Sequence, residues 1–274
     1  MNEVKEIVNV WDIVAEDFGK SEPRYWNDFG YKLVEYSNIT KGNKVLDIAV
    51  GRGASLFPSV NKVKSSGYVV GIDSSKVMIE ETHKDILSKN IVNAEVKVMD
   101  ADELDFPEDY FDNVVCGFGI GYLLLGKHKL KNVIKVLKTG GQVAFSIWGV
   151  QEDQKWLGDT INRYLKVDNV KDKHKNQDIP KFDDVKSVEK ILKEAGFKNI
   201  KVHEEVEKVI YKDKNMWWKE MHTNAVRKIF DKIESLGFES YVQFKVDIFN
   251  DLDKFKKDNC LHFNMPVIYA FGEK

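Results

Sequence analysis

From Lys44 to Ala54 the chain reads Lys-Val-Leu-Asp-Ile-Ala-Val-Gly-Arg-Gly-Ala: a short apolar run with an acid inside it, then two glycines one residue apart. Such a run without alternation is what a parallel strand covered on both faces requires. Gly51 and Gly53 let the backbone turn tightly and approach a ligand where a Cβ would clash. A helix over residues 54–63 would begin at the same place. Strand, glycine turn and helix together predict a nucleotide-type site at the carboxyl end of a strand.

The dinucleotide fingerprint G-x-G-x-x-G/A fails at Leu56, and no G-x-x-x-x-G-K-S/T phosphate cradle is present. The stretch instead resembles the first motif of class I S-adenosylmethionine (SAM) dependent methyltransferases, V-L-D-x-A/G-x-G-x-G. Val45, Leu46, Asp47, Ala49, Gly51 and Gly53 meet that pattern. SAM has no pyrophosphate, so the third glycine is not needed, and an acid near the turn favours its sulfonium and ammonium. The resemblance implies that Asp47 lies near the amino-acid end of SAM, acting through neighbours or water.

Further motifs follow in order. Residues 67–72 read as a second strand ending at Asp73, about 20 residues after Gly53, where Rossmann-like folds place an acid on ribose hydroxyls. The alternative is that Asp73 caps the next helix, a role open to Ser74 or Ser75 as well. In the helix 76–88 the resemblance puts Met78 near adenine. After a third strand (94–99), Asp100-Ala101 fits the pair that meets the adenine edge. A fourth strand (111–116) runs into Gly117-Phe118-Gly119, expected at the methionine part of the cofactor. Phe111–Gly119 resembles the ubiquinone/menaquinone C-methyltransferase branch, but Gly121-Tyr122 stand where that branch carries Arg-Asn, so the quinone substrate is not carried over. A helix over 128–138, a strand over 142–148, a helix face at Val188, Ile191, Leu192 and Ala195, and strands at 200–209 and 266–271 complete the alternation.

That alternation predicts a three-layer α/β/α sandwich. The resemblance implies a Rossmann-like seven-stranded sheet in order 3-2-1-4-5-7-6 with the last strand antiparallel. Residues 1–274 are read as one domain: an N-terminal helical cap (1–40, with a helix at 3–16 and a second at 27–36), a core (41–211 and 262–274), and an aromatic insert (212–261) over the acceptor site. Tyr25 of the cap is assigned to the cofactor. Trp26, Trp217 and Met221 are assigned to the acceptor, each with packing as the alternative. His222 is the candidate general base and His262 the second.

Composition narrows the rest. The chain has 274 residues, 43% of them hydrophobic, enough for a large core. With 42 basic and 44 acidic residues the net charge is −2, so no global field attracts nucleic acid. Cys116 and Cys260 lie far apart without metal-ligand spacing, which predicts a reduced, cytoplasmic protein with no metal site. The charged first residues lack a signal core and no run is long enough to span a membrane. The lysine- and aspartate-rich run before Asp184, which holds His174, reads as a solvated loop.

The expected activity is methyl transfer from SAM, leaving S-adenosyl-L-homocysteine (SAH), to a small-molecule acceptor by a monomer or homodimer. Two alternatives stay open: a methyltransferase acting on RNA or protein, and a non-catalytic SAM-binding protein on the same fold.

Overall fold

The computed structural model describes residues 10–126, 128, 130–165 and 181–274. Residues 3–9 of the expected first helix and the run 166–180 with His174 lie outside the described residues. So do Lys127 and Lys129.

The strands are β1 (Lys44–Ile48), β2 (Tyr68–Asp73), β3 (Ala94–Val98), β4 (Phe111–Gly117), β5 (Leu137–Trp148), β6 (Lys198–Tyr211), the two-residue β7 (Lys256–Lys257) and β8 (Cys260–Glu273). They form one sheet in the order β3-β2-β1-β4-β5-β8-β6, with β7 on the flank of β8. β1 to β5 pair in parallel, and β8 runs antiparallel to both β5 and β6. This is the expected Rossmann-like order; β8 is the anticipated seventh strand, displaced in number by β7. The buried parallel strand expected at the first motif is β1, whose Val45, Leu46, Asp47 and Ile48 are all buried.

The helices are α1 (Tyr25–Tyr36), α2 (Leu56–Val63), α3 (Lys76–Ser88), α4 (Ile120–Leu125), α5 (Lys131–Val136), α6 (Lys155–Leu165), α7 (Val185–Ala195), α8 (Lys214–His222), α9 (Arg227–Glu234) and α10 (Phe238–Leu252). Ahead of α1, residues 10–14 are helical. Val133 and Val188 belong to the core on one sheet face, and Leu33 and Val60 to that on the other. The second core runs on without a break into Trp217, Phe230, Phe244 and Ile248 of the insert. No described helix is long and apolar enough to cross a membrane.

Two boundaries differ from expectation. α5 stops at Val136, because Leu137 already pairs with Phe111; regular pairing resumes only at Gln142 opposite Asn113. Residues 138–141 are therefore a bulge of β5, although their Thr-Gly-Gly reads locally as a helix stop. β6 and β8 are also longer than their apolar stretches, pairing from Lys198↔Glu273 to Tyr211↔Leu261. Much of β6 is exposed, so pairing with β8 sets its length more than apolar pattern does.

The cap sits hard against the glycine turn. A Cβ on Gly30 of α1 would lie 2.4 Å from the Ala54 carbonyl oxygen. Only a residue without a side chain permits that approach. Gly30→Ala should therefore lift α1 and cost about 1–3 kcal/mol, as overpacking does. A urea unfolding midpoint equal to wild type would refute that contact.

Candidate active site

The carboxyl ends of β1, β2, β3 and β4 meet at one edge of the sheet, where open α/β sheets bind ligands. A cavity of about 790 Å³ lies there, toward the upper end of the roughly 300–1,000 Å³ of small-molecule sites. Its backbone is unusual. Ala49, just after β1, and Phe118, just after β4, both have left-handed φ (55° and 59°) and both line the cavity. Non-glycine residues in that region concentrate at functional sites. The two loops touch: a Cβ on Gly119 would sit 2.7 Å from the Ala49 Cβ and 2.7 Å from the Cys116 Sγ.

Asp73 joins the loops after β1 and β2. Its Oδ2 accepts the Gly51 N–H at 3.0 Å and its Oδ1 the Ser75 N–H at 2.9 Å. Burial raises its pKa, and the Ser75 and Gly51 backbone bonds oppose that rise. Asp73 also lines the cavity. The cap of α3 is Ser75, whose Oγ accepts the Met78 N–H at 3.1 Å. Ser74, Met78, Asp100, Ala101, Gly117, Tyr25, Trp26 and Met221, named from the sequence as cofactor or acceptor residues, all line the cavity.

Three assigned glycine-motif residues stand behind the surface. Gly51 and Gly53 do not line the cavity; their positive φ (47° and 81°) shapes the turn that presents Val50 and Arg52. Asp47 is fully buried. Its Oδ2 accepts the Ser55 hydroxyl at 2.8 Å, and Ser55 is the residue facing the cavity. The Asp47 Oδ1 is buried with no hydrogen-bond partner among the described residues. Burial pushes this carboxyl up to about 8, against the Ser55 bond and with the Asp73 charge.

Two assignments are corrected. Trp217 does not line the cavity; it is fully buried and packs on Trp156 with ring centroids 5.6 Å apart. His222 is also absent from the lining. Its Nδ1 donates to the Trp218 carbonyl at 2.8 Å, which leaves Nε2 to accept the Tyr241 hydroxyl at 2.9 Å. Burial lowers its pKa. For His222 the reason is helical phase. Trp217, Glu220 and Met221 share the buried face of α8, while Trp218 and His222 turn toward α9 and α10. His262 does not line the cavity either, and among the described residues no histidine does.

Of the cavity's other wall the sequence reading named Trp26 and Phe118 and missed the rest. Trp26, Phe118 and Trp148 pack together, with Phe118 and Trp148 centroids 4.3 Å apart and Trp26 5.4 Å from each. Gln151, Gln154 and Asn224 add neutral amides. From the cap, the Trp11 indole donates to the Tyr122 hydroxyl at 3.2 Å. Arg52 holds the cap by donating to the Ala15 and Glu16 carbonyls and pairing with Asp85. No local motif marks Trp148, Gln151, Gln154 or Asn224; they join the wall only through the fold.

The profile of the ubiE/COQ5 methyltransferase family matches residues 4–213. The chain belongs to that family. Among relatives of this family member, aklanonic acid methyltransferase DauC of Streptomyces sp. (strain C5) is 34% identical over 142 residues, 52% of this chain and 64% of that protein. The ubiquinone/menaquinone biosynthesis C-methyltransferase UbiE of Azotobacter vinelandii is 28% identical over 134 residues, 48% of this chain and 52% of that protein. The matches thus span about half to two-thirds of these relatives. In fold, the ubiE/COQ5 family chain is similar to the YcgJ protein of Bacillus subtilis, with a TM-score of 0.57 at 17% identity over 89% of this chain and 97% of that one.

Asp47 yields a pH prediction. The native carboxyl holds its proton up to about pH 8, whereas an unfolded aspartate loses it near pH ~4. Between those values the native state binds a proton that the unfolded state has lost, so stability falls as pH rises and levels off above about 8. Asp47→Asn should remove that part of the slope. Urea midpoints measured from pH 5 to 8.5 that run parallel for wild type and variant would contradict it.

Proposed function

We propose that this chain transfers a methyl group from SAM to a neutral, largely apolar small molecule within one domain whose insert covers the acceptor. One observation carries the reading: the distribution of charge along a continuous cavity. The charged lining residues, Arg52, Asp73, Asp100 and Asp102, all follow β1, β2 or β3. The lining supplied by α1, β4, β5, β8, α6 and the insert carries none: Tyr25, Trp26, Phe118, Trp148, Leu157, Met221 and Met265, with amides at Asn27, Gln151, Gln154 and Asn224.

The first side suits the cofactor. Asp73 keeps a free lone pair on each oxygen beyond its two backbone bonds, enough to accept from a ribose diol. Asp100 and Ala101 stand next to it for the adenine edge, with Met78 and Ser74 beside them. Gly117 leaves room, since a Cβ there would have no neighbour nearer than 3.6 Å. Asp47 fixes Ser55 from behind by accepting its hydroxyl at 2.8 Å. Bound there, the cofactor supplies a methyl carbon already activated by its sulfonium, open to in-line displacement.

The second side suits the acceptor. Aromatic rings exclude water and offer flat apolar surface, while the amides hydrogen-bond without charge. Among the described residues no lining cation there meets a phosphate, which favours an uncharged acceptor over a phosphorylated one. The names of the two relatives, one acting on aklanonic acid and one in ubiquinone and menaquinone biosynthesis, are consistent with a small-molecule acceptor. On this reading the chain's contribution is alignment and desolvation more than proton transfer.

The test is calorimetric titration with SAM, SAH and NAD, followed by a mass search for methylated products among neutral aromatic compounds. Saturable binding of SAM and SAH without NAD is expected. Asp73→Ala should lose about tenfold or more in SAH affinity, the worth of a charge-assisted hydrogen bond. An unchanged affinity in that variant would remove the ribose assignment, and silence toward both SAM and SAH would remove the function.

A further inference from the structure

Glu220 belongs to no sequence motif. It lies on α8 with 1% of its surface exposed, and no cationic side chain among the described residues pairs with it. A buried carboxylate of this kind persists only when hydrogen bonds replace its water. Here three donors do so. Oε1 accepts the Tyr25 hydroxyl at 2.9 Å and the Trp26 indole N–H at 3.0 Å. Oε2 accepts the Ser21 hydroxyl at 3.1 Å, and the Thr223 hydroxyl, which donates to the Glu220 backbone carbonyl at 3.0 Å, also lies 3.3 Å from it. The three donors come from the segment before α1 and from the start of α1.

Two of these donors, Tyr25 and Trp26, line the cavity. Trp26 stands 5.4 Å from both Phe118 and Trp148, where the cofactor side gives way to the acceptor side. Burial first, and then the Tyr211 and Glu220 oxygens, hold the Tyr25 phenol well above its ordinary pKa. It therefore remains a donor rather than becoming a phenolate base.

We propose that Glu220 is a positioning residue of the transfer chamber. Its carboxylate fixes the Tyr25 and Trp26 rings from behind and ties the insert to the cap as one wall. The inference deepens the proposed function and rests on its reading of the cavity. It requires that the wall lose its alignment when the shared acceptor is removed, although Glu220 itself touches neither ligand.

The test uses the full chain and two readouts. The first is the Trp26 indole resonance in a ¹⁵N–¹H spectrum, assigned by its disappearance in Trp26→Phe. The second is SAH affinity by calorimetry. Glu220→Ala should move the Trp26 resonance and weaken SAH about tenfold. Glu220→Gln, which keeps an acceptor oxygen, should restore the affinity to within about threefold of wild type. Should Glu220→Ala not fold, Tyr25→Phe serves in its place. With one donor fewer on Oε1 the Trp26 bond tightens, and its indole proton moves downfield. Thr223→Ala, which changes only the surroundings of the other oxygen, should leave the resonance in place. A Trp26 resonance unmoved in folded Glu220→Ala, or unmoved in Tyr25→Phe, would overturn the assignment. Lack of SAH binding by wild type would overturn the methyl-transfer reading alone.

Discussion

Asp73 makes the contact on which the site depends. One carboxylate receives the Gly51 N–H from the loop after β1 and the Ser75 N–H from the loop after β2. The parallel pairing of β1 with β2 brings these loops side by side, but it does not set their shape. The two bonds do so, and they satisfy backbone donors that would otherwise be buried and unpaired. The acid must remain near the cavity to make them, and the proposed ribose contact would draw on the same side chain.

The rest of the chamber is built by enclosure. The cap lies directly on the glycine turn, because Gly30 presents no side chain to Ala54. Arg52 anchors the cap by its carbonyls, and Trp11 reaches Tyr122 from above. On the other side, the insert continues the apolar core of the sheet through Trp217, Phe230 and Phe244. Glu220 is the polar link between cap and insert, in a region otherwise packed with aromatic rings. A buried acid there has few ways to be satisfied, and that scarcity gives the hydrogen bonds their directional force.

The contrast between the two carboxylates behind the surface is instructive. Asp47 has one oxygen bonded to Ser55 and the other unpartnered, and burial raises its pKa far above the ordinary range. Glu220 is equally buried but has donors on both oxygens. The first keeps its proton and holds Ser55; the second holds side chains of the cap.

Local sequence determined whatever depends on short-range chemistry. The unalternated run at 45–48, the turn glycines 51 and 53 and the acid at 73 made β1, its loop and the carboxylate at the end of β2 legible, and the resemblance supplied the sheet order. Cavity residues at the strand ends were readable because they stand at fixed spacing. Tertiary structure decided which residues of the cap and insert reach the cavity. His222 follows Met221 in sequence, yet the phase of α8 sends it to α9 and α10, while Trp217, one turn before Met221 on the same face, lies in the core and Met221 in the cavity. Trp148, Gln151 and Asn224 come from three separate segments, and Glu220 meets Tyr25 across 195 positions. No periodicity or motif spans such a distance; the contact exists because two buried faces must cover the same edge of the sheet.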